Sequence, residues 1–162
     1  MHLDAINHLY DYHFAENRLT WEKYILPLTQ EQFTQPVTYS VGSIRNQIVH
    51  LMNVDDIWFS ALRGLAIPDW LEFEAFADRA TIRAYWDNIE KTMRDYLATL
   101  NEETLVSKPL EGEDKDLRVW QVLHQVINHG TDHRAQILHI LHDLGIKTVS
   151  QDYIFYVYDH LV

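Results

Sequence analysis

Polar and apolar positions along the chain fall into four long stretches that repeat with the period of an α-helix. Residues 4 to 26 carry Ile6, Leu9, Tyr10, His13, Phe14, Asn17, Trp21 and Tyr24 in one broad stripe, with Asp4 placed to cap it. A second helix is expected from Ser43, a capping residue after Gly42, to about Arg63, with Gly64 as its stop. A third fits residues 79 to 100 behind Asp78, with Ile82, Tyr85, Trp86, Ile89, Met93, Tyr96, Leu97 and Leu100 in register. A fourth runs from about Asp116 to Leu144 and ends at Gly145, after the polar loop LEGEDKD at 110 to 116. Pro27 and Pro36 bracket the first connection. Pro68 lies in the second, beside an apolar stretch around Trp70 and Phe73 that the pattern leaves unplaced. The tail SQDYIFYVYDHL reads as a short closing helix, with a strand left open by its Tyr, Ile and Val content.

These elements predict an all-α fold, a four-helix bundle of roughly antiparallel helices with a short C-terminal closing segment, spanning residues 1–162 as one domain. The loops flanking the second helix exceed a minimal turn, so strict up-down-up-down order is not required. Five Gly and four Pro in 162 residues agree with long helices rather than many short strands. The formal net charge of -11 argues against a nucleic-acid backbone or an anionic membrane as the main partner. With no charged-then-apolar leader and no apolar run near the ~20 residues that span a bilayer, a cytoplasmic protein is expected. The chain has no cysteine, which removes disulfides, thiolate ligands and a cysteine nucleophile. Any thiol chemistry would need a thiol from outside the chain.

Ten histidines make position more informative than number. At about 100° per residue, His129 and His133 sit about 40° apart on the fourth helix and share their direction with Val122, Val126, Gln136 and Ile140. His124 and His142 project to the opposite side and His139 to a flank. On the second helix His50 lines up with Gln47, Val54, Ile57 and Ala61, with Asn46 and Asn53 on the flank as candidate hydrogen-bond partners. Two imidazoles at i, i+4 and a third from a facing helix form a three-nitrogen face with a position left open, as in catalytic zinc sites. Such a donor set suits Zn, Ni, Cu or Fe rather than Mg or Ca. The alternative is a polar core of histidines satisfied by hydrogen bonds. Burying three imidazoles without partners would cost ~1–3 kcal/mol each, so a network or an ion is required. Position 130 is Gly, so the metalloprotease pattern HExxH is absent; a mid-helix Gly costs ~1 kcal/mol against Ala and permits close approach of a neighbour.

Three segments carry a resemblance to the DinB-like (YfiT-related) family of metal-binding four-helix bundles: GSIRNQIVHLMNVDDIW, NHGTDHRAQI and the closing DYIFY at 152 to 156. The resemblance implies a metal triad of His50, His129 and His133, the same three that helical geometry turns inward. Asp132 and Ala135 depart from the family's usual His and Gly, and neither belongs to the triad. As the neighbour of His133, Asp132 is expected to point away from the site into a surface ion pair. Relatives of known chemistry are metal-dependent transferases or isomerases that use a low-molecular-weight thiol, and homodimers are frequent among them. The resemblance therefore implies a thiol S-transferase type of enzyme acting on a small-molecule substrate, with Zn or Ni as the expected ion. Arg45, Arg83, Arg118 and Arg134 are candidates to bind the thiol's carboxylates. The alternatives are a metal-dependent hydrolase, for which neither Asp55 nor Asp56 projects with His50 as a base, and a non-enzymatic stress-response or dimerisation module using the aromatic tail. An enzyme predicts an open metal position in a roomy pocket. A structural site predicts a fourth protein ligand.

Overall fold

The computed structural model describes residues 2–160, and among these the regular elements are all helical. They are α1 (Leu3–Thr20), α2 (Gln30–Thr34), α3 (Ile44–Leu62), α4 (Arg79–Leu97), α5 (Glu102–Val106), α6 (Val119–Asp143) and α7 (Tyr153–Asp159). The four long helices α1, α3, α4 and α6 correspond to the four apolar stripes. Ile6, Phe14, Ile48, Met52, Ile82 and Val126 are among the side chains removed from solvent between them. No described helix is long and apolar enough to cross a membrane.

Cross-helix contacts set the directions. Tyr10 donates its hydroxyl to the Leu123 carbonyl and Arg134 donates to Asn17, so α1 and α6 run parallel. Gln47 meets Gln136 while His50 meets His129 and His133, so α3 opposes α6. Ion pairs Arg18–Glu90 and Asp11–Arg94 make α1 and α4 antiparallel. Tyr85 reaches Asp56 and Tyr96 reaches Phe59, so α3 and α4 are parallel. The bundle is therefore up-down-down-up.

That order has a consequence for the second connection. The chain leaves the end of α3 and must return along its whole length, about 28 Å at 1.5 Å per residue, before α4 can start in the same direction. Residues 63–78 make this return as a strap on α3. Asn53 holds its middle, accepting from the Leu71 amide (3.1 Å) and donating to the Asp69 carbonyl (3.4 Å). Arg45 holds its far end through Glu74 (3.4 Å). Trp70, which the sequence pattern left unplaced, is thereby set over His50, with the two rings nearly coplanar in tilt (8°) and 6.0 Å apart.

Several boundaries differ from expectation. His2 rather than Asp4 occupies the cap position of α1, and Asp4 lies in its first turn. The α-helical pattern stops at Thr20 and continues as a π-turn over Trp21–Ile25, in which Trp21, Tyr24 and Ile25 are buried. Helix α4 ends at Leu97 rather than 100, and α6 starts at Val119 rather than 116. The tail is a helix, not a strand, and packs its Tyr153 and Tyr156 edge-on against Tyr12. Ser43 and Asp78 cap their helices as expected, and Gly64 and Gly145 follow the helix ends at positive φ.

Candidate metal centre

Helices α3 and α6 bring three imidazoles to one point. His50 comes from the middle of α3, and His129 and His133 from successive turns of α6. One ligand atom from each lies within 4.8 Å of the others. His50 and His129 face each other Nε2 to Nε2 at 3.1 Å, and the His129 and His133 ring centres are 4.3 Å apart. His133 is buried, while the other two are partly open.

Electrostatics keep these rings neutral. Burial, and then the adjacent His133, hold His50 down at about 4. Burial, His133 and His50 hold His129 at about 4, against the opposing pull of Asp132. His133 is also lowered by burial, again opposed by Asp132. At neutral pH each ring thus keeps a single N–H and offers one lone pair. Two neutral imidazoles meeting nitrogen to nitrogen satisfy one lone pair between them, and the His129 Nδ1 is buried with no partner. An ion with bonds of 2.0–2.1 Å at tetrahedral angles wants its nitrogens about 3.3 Å apart, close to the His50–His129 spacing. The donor set fits a divalent transition metal. Among the described residues the cluster has no fourth His, Asp or Glu.

The groups around the triad differ from those expected. Asn46 and Asn53 bind backbone carbonyls of the adjoining loops, not imidazoles. The partner of His133 is Gln47, whose Oε1 accepts from Nδ1–H at 2.6 Å. Gln47 and Gln136 both share the inward stripe with the histidines, which was the available signal for their role. Asp132 accepts from Gln136 (3.0 Å) instead of entering an ion pair. Of the four arginines, Arg134 is not available to a ligand: it is 1% exposed and donates to Asn17 and Thr131 in the core. Arg83 pairs with Asp87 and lies over Trp86. Arg118 is eleven residues from His129, about 16 Å along the helix. Arg45, five residues from His50, is engaged by Glu74 and Asn46. His124, His139 and His142 are exposed as expected. Asp55 is buried, and Asp56 takes the hydroxyls of Ser60 and Tyr85, so neither carboxylate joins the triad. Cavities of about 350 and 470 Å³ lie beside Leu65 and Leu110 and between α1 and α7, and neither is lined by the triad.

A model of the DinB family matches residues 2–160 of the chain. The chain belongs to the DinB family. Protein DinB of Bacillus subtilis (strain 168) is a relative at 23% identity over 159 residues, covering 93% of this chain and 92% of that protein. The match runs across the whole described DinB bundle, including both helices that carry the three histidines.

Proposed function

We propose that this DinB-family protein is a metal-dependent enzyme of the thiol S-transferase type, with His50, His129 and His133 holding a divalent transition metal, zinc or nickel. The observation that supports it is a cluster of three neutral imidazoles without a fourth protein ligand among the described residues. A divalent ion there would lower the pKa of a coordinated low-molecular-weight thiol, the nucleophile that a chain without cysteine must take from outside. His133 is oriented for this by Gln47. Trp70 stacks over one side of His50. Arg45 is the cationic group nearest along α3, and a carboxylate of the thiol or of the small-molecule substrate would replace its exposed partner Glu74 there.

A second reading follows from α7. Ile154, Phe155 and Tyr158 are about half exposed on a seven-residue helix, a surface suited to a second copy of the chain. In that reading the metal stabilises the bundle and the output is a contact. Cobalt(II)-loaded protein titrated with a simple dithiol and with a monothiol separates the two. A thiolate-to-cobalt charge-transfer band that saturates supports the enzyme. An unchanged spectrum alongside full cobalt occupancy contradicts it.

A further inference from the structure

The hydrogen bonds behind His133 do not stop at Gln47. The amide nitrogen of Gln47, which is fully buried, donates to Gln136 Oε1 at 3.1 Å, and the amide nitrogen of Gln136 donates to Asp132 Oδ2 at 3.0 Å. The chain of contacts is therefore His133, Gln47, Gln136, Asp132, crossing from α6 to α3 and back. Each primary amide has one accepting and one donating end, so the direction of one determines the direction of the next. A carboxylate has no donor. Gln136 must turn its NH₂ to Asp132 and its oxygen to Gln47. Gln47 must then turn its NH₂ to Gln136 and its oxygen to His133. That oxygen can be met only by an N–H, which places the imidazole proton on Nδ1 and leaves the Nε2 lone pair free. Reversing the row would set the oxygen of Gln136 against the carboxylate, acceptor against acceptor.

We propose that Asp132 is a positioning residue that fixes the tautomer of His133 from the protein surface, through the directional amide pair Gln136 and Gln47. Asp132 neighbours His133 in sequence, yet successive helical residues point about 100° apart, so no direct contact is available. The two glutamines carry the carboxylate's preference around that obstacle. In metal proteins a carboxylate or carbonyl on the far nitrogen of a ligand histidine serves the same purpose. Here the carboxylate is exposed and two amides away, while the amide that touches the ring is buried. The site is thereby prepared before any ion arrives, with one of its three imidazoles already presenting the nitrogen that coordinates. The consequence for metal affinity rests on the functional reading above; the tautomer itself does not.

The test is long-range ¹H–¹⁵N correlation on metal-free protein labelled in its histidines, with the His133 signals assigned by their loss in His133→Ala. Wild type is expected to show His133 as the Nδ1–H tautomer. Asp132→Asn, an exposed change that leaves the core intact, should raise the Nε2–H population several-fold, and Asp132→Glu should restore the wild-type pattern. A wild-type ring that is mainly Nε2–H, or an Asp132→Asn ring unchanged from wild type, overturns the proposal. Zinc affinity by chelator competition reads the consequence: about 10- to 100-fold weaker binding is expected for Gln47→Leu, and a smaller loss for Asp132→Asn. A wild type that binds no zinc removes the metal reading, and the tautomer comparison then decides the relay by itself.

Discussion

Gly130 sits in the middle of α6, where alanine would be the better helix former by ~1 kcal/mol. A methyl group there would lie 2.4 Å from His13 Cε1 and 2.8 Å from His13 Nδ1. His13 cannot withdraw: it is fully buried, and Asn17 holds its Nε2 at 3.1 Å while Asn17 itself takes the Arg134 guanidinium at 2.8 Å. The glycine is thus the gap that lets α1 press against α6 one residue from His129. Gly130→Ala is expected to destabilise by about 1–3 kcal/mol in urea unfolding, overpacking outweighing the gain in helix propensity. A variant as stable as wild type would show that the two helices can separate freely. The sequence marks Gly130 as costly for a helix, but its reason lies on α1, and no local pattern points from one to the other. The same holds for Arg134. In the helical pattern it reads as a cation available to ligands, whereas it is buried over the Tyr12 ring.

At the scale of elements, the start of α3 decides where Gln47 and His50 stand. Ser43 caps it, accepting from the Asn46 amide at 3.2 Å with its own side chain buried. Ser43→Ala should cost about 1 kcal/mol, and Ser43→Gly a few tenths, read as shifts of the urea midpoint. Equal losses from both would mean that packing of the hydroxyl, not the cap, is what matters. This cap was legible because its signal is local: a serine after a glycine and before an apolar stripe. The π-turn at Trp21–Ile25 was not, since residues of ordinary helix propensity enter it and its buried side chains keep the spacing of an α-helical stripe. The strap was legible as a loop and no further. Its path follows from the parallel run of α3 and α4, a property of the assembled bundle that periodicity within each helix does not carry.

Across the whole molecule, the bundle holds a polar seam inside its apolar core. Asp55 is buried at 1% exposure, and burial pushes its carboxyl up to about 8, against the lowering effect of Arg134. An unfolded aspartate titrates near 4, so the folded chain holds the extra proton between about 4 and 8. The stabilisation is complete below that window and is lost as pH rises through about 8. Asp55→Asn, which keeps the neutral form, should flatten the decline in unfolding free energy between pH 5 and 8, and profiles of equal slope would contradict this assignment. The helical class, the four long elements and the convergence of His50, His129 and His133 could be read from periodicity, because an inward stripe is a repeated signal. The amide partners of His133 and the tryptophan over His50 could not, because each depends on which helix lies opposite and in which direction it runs. On the proposed reading the three imidazoles hold a metal. Its most direct test is metal content by mass spectrometry on tagless protein prepared without chelator, for wild type and for His50→Ala, His129→Ala and His133→Ala. Near-stoichiometric zinc or nickel in wild type, lost in all three variants, is the predicted result. A wild type that stays metal-free after reconstitution would make the triad a polar core and contradict the account.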